Sequence, residues 1–398
     1  MTAPTTQIQA FRGLNNVTDP VRLKAGWLTR ADNIDISDTG RITRRPGYSL
    51  AKSGQFTGAY TTADHSRFFA VDGGDLQQVH ADLSTTTLYA DVGTAPVSWA
   101  EVNHEVYFST GGVKGVIGVD NVVRPWAWPV PSAPALAATS GSLPAGLYQV
   151  VCTFILADGR ETGAGDIADI WLSDGQALTI SGIPQKPGAT TQVYIAPANS
   201  AVFGHAFATT STAATWDAGP DSLGANLTTQ HLSPPPVDAA ELAHWAGRMY
   251  LMQHMPGQDT TVVWFSQALA PHLYDAEKDF FLVRGRGVLL AAHEKGLVIG
   301  TESEIYGYDG TNLSQLAGYG AVPGSSSVID AEGSTQPLLF WTQRGVCTAF
   351  PFANLTADRL SVAPGVRAGV AVVAQGGARK FIASLHAGGT AFNPRSSP

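Results

Sequence analysis

Several short motifs in this 398-residue chain carry residue types that could do chemistry, and each has a plainer competitor. Asp38-Thr39-Gly40 spells the tripeptide of aspartic proteases, whose mechanism needs two carboxylates sharing one proton. No second copy of the triplet exists, and Ser37 and Arg41 stand where a dimeric protease would place apolar residues. Ser37 to Arg41 instead fits a type I turn followed by a left-handed Gly, which sets Ile36 opposite Ile42, Asp35 opposite Thr43 and Ile34 opposite Arg44. Asp158-Gly159-Arg160-Glu161, followed by Asp166 and Asp169, has the acids of a calcium loop without their alternation or its closing Glu, so it reads as a solvated hairpin tip. Gly318-Tyr319-Gly320-Ala321-Val322-Pro323-Gly324 has the glycines of a phosphate loop, but Pro323 falls where the third fingerprint Gly belongs.

Asp64, Glu101, Glu241, Glu294 and Asp330 fall at comparable places in recurring blocks. Two of them facing a central channel would be the carboxylate pair of a propeller glycosidase, whereas repeat symmetry alone also lines a channel with acids. The ten histidines show no paired zinc spacing and no Gly-x-Ser-x-Gly elbow is present. The expectation is no catalytic, cofactor or metal residues, no cofactor and no enzyme. Cys152 and Cys347 sit in apolar runs, as small buried thiols do.

What positions these residues is a chain of short strands. Only 14% of residues are charged and 43 are Gly, with short runs such as Arg67-Phe68-Phe69-Ala70-Val71, so the chain reads as all-β. A strand, turn and apolar-run outline recurs around 96–108, 240–251 and 289–300, with weaker copies near Gly58, Ser327 and Gly369. Its period of roughly 40 residues is that of a four-stranded propeller blade, and about six copies predict a β-propeller-like body of five to seven blades. Pro-rich boundaries at Pro129–Pro134 and Ser233–Pro236 enclose a different pattern, read as an inserted immunoglobulin- or fibronectin-like sandwich. The predicted layout is an N-terminal arm and hairpin at 1–55, propeller at 56–128, sandwich at 129–236 and propeller again at 237–398. Exposed Trp171 and Trp216 would favour glycan stacking, whereas core positions would not.

The formal net charge is −8, yet residues 1–50 hold seven basic against four acidic side chains. An acidic body disfavours gripping nucleic acid. The first residues lack a signal-peptide pattern and no apolar run is long enough for a membrane helix, which leads to the expectation of a soluble chain made in a cytoplasm.

Phe11-Arg12-Gly13-Leu14-Asn15-Asn16, then Gly26-Trp27, Asp32 to Ile36, Gly40-Arg41 and Arg44-Arg45-Pro46-Gly47, resemble the N-terminal region of bacteriophage tail nozzle proteins, the tail tubular B and packaged-DNA-stabilisation type of short-tailed phages. Tyr319 to Ser325 and the Asp158 to Gly163 hairpin are similar to segments of the same group. The resemblance implies a virion protein that assembles with itself as a ring, commonly a hexamer, and continues the DNA conduit below a portal-bound adaptor. Its partners would be adaptor or neck and fibre or tip proteins, with DNA passing the lumen without specific binding; a neck or baseplate part of a longer tail fits the same features. Within that reading Arg41, Arg44, Arg45, Asp32 and Asp35 are the interface candidates, with pairing inside their own chain as the alternative. A host-surface binding propeller and a glycosidase are the competing functions.

Overall fold

The computed structural model describes residues 10–37, 39–47, 49–329, 336–375 and 378–387; Asp38 and Asp330 lie outside them. Among the described residues, five four-stranded antiparallel sheets follow the chain in meander order, each sheet pairing consecutive strands apart from one short excursion. Blade 1 runs from Phe56–Thr61 to Thr85–Tyr89, and blade 2 from Ser98–Val102 to Val123–Pro125. Blade 3 runs from Glu241–Trp245 to Phe280–Arg284, blade 4 from Gly287–His293 to Leu313–Ala317, and blade 5 from Ser327–Val328 to Ala353–Asn354. The hairpin Arg367–Gln375 with Ala378–His386 forms a sixth, two-stranded sector. The chain is a β-propeller, within the predicted range of blades.

Local sequence explains the blades. Gly73-Gly74, Asn103-His104 and Ala246-Gly247 all take positive φ in two-residue links between the first strands or the middle strands of their blades, the backbone that twisted hairpins need. Strand alternation then sends side chains to both neighbouring blades. On Glu105–Ser109, Val106 and Phe108 pack with Phe69 and Leu76 of blade 1, while Tyr107 packs with Leu242 and Leu251 of blade 3. Leu290, Leu297 and Ile299 face blade 3, whereas Leu289 and Val298 face Leu338 and Phe340 of blade 5. Blades buried on both sides read as unbroken apolar runs, which is why the central strands were legible as short hydrophobic blocks.

The N-terminal segment is fastened to the last sectors by polar contacts, and the sixth sector touches blade 1. Asn15 Nδ2 donates to Asp358 O, Asn16 Nδ2 donates to Ser361 O, and Ser361 N donates back to Asn16 Oδ1 at 2.7 Å. Arg367 reaches Thr57 O of blade 1 at 3.5 Å. Residues 10–45 are therefore stitched across the last sectors rather than forming a separate arm, and sequence separation of 345 residues made this invisible beforehand.

The sandwich comprises a three-stranded sheet, first, fourth and seventh strands, against a four-stranded sheet in the order third, second, fifth, sixth. Its core holds Tyr148, Val150, Leu178, Ile180, Val193 and Trp216. The two-sheet architecture is the expected one, but the strand order is not that of an immunoglobulin constant domain, because the last strand Ala213–Trp216 pairs with the fourth strand, Gln176–Ser181. The predicted end of the insert at 236 also shifts: Leu232–Ser233 pairs with Tyr274–Asp275 and so belongs to the propeller.

Trp126, Tyr107 and Val116 of blade 2 share one core with Leu242, Met249 and Tyr274 of blade 3, so the two flanks of the sandwich form one body. Replacing residues 133–230 by a short Gly/Ser linker should leave a soluble β-rich protein with a single thermal transition. Two independent transitions, from 56–128 and 237–387, would contradict this.

Candidate functional site

The hairpin of the N-terminal segment forms with the predicted register, Ile34 opposite Arg44, Asp35 opposite Thr43 and Ile36 opposite Ile42. Gly40 takes φ +79, the left-handed position the turn requires. Asp35 accepts from Lys380 Nζ at 2.8 Å and from Arg45 Nε at 3.2 Å. The Lys380 bond, helped by Arg45 and opposed by partial desolvation, holds the Asp35 carboxyl below the usual carboxylate range. Asp32 pairs with Arg30 at 2.5 Å, with both side chains largely exposed. Three of the interface candidates, Arg45, Asp35 and Asp32, are thus engaged within their own chain. Arg41 and Arg44 are exposed and have no carboxylate partner among the described residues. The structure thus separates the five into an anchor and a free pair.

The Asp158 to Gly165 segment is a joint between the two bodies rather than a solvated tip. Asp158 and Gly159 are exposed, but Arg160 Nη1 donates to Trp126 O of blade 2 at 2.8 Å, with Nε held by Asp158. Glu161 accepts from Thr153 Oγ1 at 2.6 Å and Tyr194 Oη at 2.8 Å, while its backbone carbonyl meets His272 Nε2 of the propeller at 3.0 Å. Burial lowers the His272 pKa, and the neighbouring Arg160 lowers it further. Its buried Nδ1 has no hydrogen-bond partner. No group of three or more His, Cys, Asp or Glu that could hold a metal occurs among the described residues.

The acids expected to recur around the channel do not share one position. Asp64 sits in the first turn of blade 1, held by Thr62 and Ser66, which keep its pKa low. Glu101 lies near the end of the innermost strand of blade 2 and accepts from Ala63 N at 2.8 Å. Glu241 begins the innermost strand of blade 3, and burial lifts its carboxyl to about 7, against a smaller opposing effect of Ser98. Glu294 lies in the first turn of blade 4. Asp64 and Glu294 share the first-turn position, whereas Glu101 and Glu241 lie at opposite ends of their inner strands.

A cavity of about 320 Å³ lies between the first turns of blades 3 and 4 and the inner strand of blade 5, lined by His244, Trp245, His293 and Glu294. His293 is committed to the fold: its Nε2 meets Gln336 O at 3.0 Å, Nδ1 accepts from Lys295 N and the ring stacks on Phe350. Burial lowers the pKa of His244. Sequence reading did not single out this pair, because the two histidines lie 49 positions apart in different blades and meet only when those blades pack side by side.

Cys152 and Cys347 are free, buried thiols, as expected, and burial pushes Cys152 up to about 12. The two tryptophans of the sandwich divide: Trp216 is core against Tyr148, whereas Trp171 is 64% exposed. The Gly318 to Gly324 stretch serves close packing, since a Cβ at Gly320 would collide with the Glu302 carbonyl. No helix among the described residues is long and apolar enough to cross a membrane.

No family model matches the chain, and no curated protein matches it. Among solved structures it is similar to virginiamycin B lyase from Staphylococcus aureus at 10% identity and TM-score 0.32, covering 74% of this chain and 80% of that one. A protein from Lactobacillus plantarum follows at 12% identity and TM-score 0.31, covering 81% and 87%. AztD from Citrobacter koseri matches at 13% identity and TM-score 0.26, covering 77% and 85%.

Proposed function

We propose that the chain is a structural virion protein of a phage tail that assembles with itself as a ring, of the nozzle type its N-terminal motifs resemble, and acts by assembly rather than by catalysis. The observation that carries this reading is the pair Arg41 and Arg44, exposed and without a carboxylate on a hairpin whose base is pinned by Asp35 to Arg45 and Lys380. Two unpaired guanidiniums on a braced hairpin, in a chain of net charge −8, are suited to bidentate pairing with carboxylates of a neighbouring subunit or adaptor. A ring lumen walled by an acidic body would repel phosphates and let DNA slide.

The test is the mass of the purified protein by light scattering across the micromolar range. A closed oligomer is expected for the wild type, and R41E/R44E should be a folded monomer with an unchanged circular dichroism spectrum. A wild type that stays monomeric, and fails to incorporate into tails when co-expressed with the other virion proteins, overturns the reading.

A host-surface binding role has one specific observation in its favour, the exposed Trp171 indole, to which sugars stack. Binding of host polysaccharide that Trp171→Ala abolishes would support it.

A further inference from the structure

We propose that the outward face of the sandwich strand Ala168–Leu172 receives the Ile34–Arg44 hairpin of a second copy of this chain, making these two surfaces the complementary halves of the subunit interface. The inference rests on the ring reading and names the partner surface that reading leaves open.

Ala168–Leu172 is an edge strand of the four-stranded sheet. Alternation turns Ile170 and Leu172 into the sandwich core and leaves Asp169 and Trp171 pointing away from it. Trp171 is 64% exposed and Ile167, just before the strand, is 43% exposed. Asp166, Asp169 and Asp174 are all exposed, and none has a cation partner among the described residues. An exposed indole on the same strand face as the uncompensated Asp169, with Asp166 and Asp174 flanking the strand in sequence, is what a guanidinium pair fits, by stacking on the ring and forking onto the acids. A neutral sugar would gain the stacking and nothing from the charge.

The chain holds two such guanidiniums, Arg41 and Arg44, and the fold keeps them away from this strand. The hairpin is tied to Lys380 in the sixth sector, while the sandwich is held to blade 2 through Arg160 and to blade 3 through His272. Blade 2 packs on blade 3, blade 3 on blade 4, blade 4 on blade 5 and blade 5 on the sixth sector, so the hairpin and the sandwich are fastened to different sectors of the ring. The two surfaces are not packed against each other within one molecule. A contact joining two different surfaces of identical subunits is head-to-tail, and it closes into a ring when the rotation per step divides the circle.

The experiment uses the full chain. R44D and D169R are made singly and together, with folding checked by circular dichroism, and self-association is followed by sedimentation. Each single change should weaken association by at least about tenfold, and the double exchange should restore it, because the pair is regenerated with reversed sign. Arg44→Cys with Trp171→Cys should in addition give a disulfide-linked ladder of subunits on oxidation, since Cys152 and Cys347 are buried. Single variants that assemble like a ring-forming wild type overturn this interface and leave the ring reading standing. A wild type that is monomeric throughout removes both. Loss of glycan binding in Trp171→Ala, with assembly and the exchange series unaffected, assigns the strand to a sugar instead and overturns the proposal.

Discussion

Gly163→Ala should destabilise the protein by about 3 kcal/mol or more and loosen the sandwich from the propeller, because the added methyl meets backbone that cannot move aside. A Cβ there would collide with the Leu232 carbonyl, and one at Gly165 with the Pro131 carbonyl. The stretch Thr162 to Gly165 is crossed by both chain connections between the two bodies, and Ala164 N donates to Thr229 O at 3.0 Å beside it. Thr162 N donates to Phe154 O and Gly165 N to Cys152 O, so the segment is also fastened to the sandwich and has no direction in which to yield. Differential scanning calorimetry should show the single wild-type transition lowered, or split into a sandwich and a propeller step. An unchanged melting temperature would show that the connections relax around the methyl. Gly159→Ala, at the exposed tip of the same hairpin, is the contrast: its positive φ of 83° costs backbone strain, but a Cβ there meets no neighbour, so sandwich docking should survive.

Glu241→Gln should make the protein more stable at pH 8 and remove a pH dependence that the wild type shows on the acidic side of neutrality. Burial raises the folded-state pKa from 4.5 to about 7. Between those values the folded state keeps a proton that the unfolded chain releases, so stability is fully present below about pH 4.5 and is lost as pH rises through about 7. A shift of this size corresponds to on the order of 3 kcal/mol, an upper value because the side chain is half-buried and can relax toward water. Gln keeps the shape and the hydrogen-bonding ends without a charge to desolvate. Urea midpoints at pH 5 and pH 8 decide it: the wild-type minus variant difference should widen toward pH 8. A constant difference across that range would mean that the Glu241 carboxylate is solvated when ionised.

The sequence by itself determined what depends on neighbours along the chain. Period-two alternation with turns at Gly73-Gly74 and Asn103-His104 specifies hairpins, and the recurrence of the outline near a propeller period specifies the blades. The register of Ile34–Ile36 against Ile42–Arg44 followed from one turn, because loop length fixes pairing. Pro-rich boundaries announced the sandwich because Pro stiffens the chain where one body hands over to another.

Tertiary structure decided what depends on contacts between distant residues. Asp32 and Arg45 find partners close in sequence, Arg30 and Asp35, but the bond that anchors the hairpin to the body comes from Lys380, 345 positions beyond Asp35, and no local rule reaches that far. The Asp158 to Gly165 hairpin was visible as a hairpin, but its role as a clasp follows from Trp126, His272 and Leu232 converging on it. Trp171 and Trp216 lie in similar strand-like contexts, and only the packing of two sheets sends one inward and leaves the other in water. Short-range sterics and turn geometry act within a few residues, whereas burial and charge pairing are properties of the packed whole. That is why the strands were legible and the surface that would bind a partner was not.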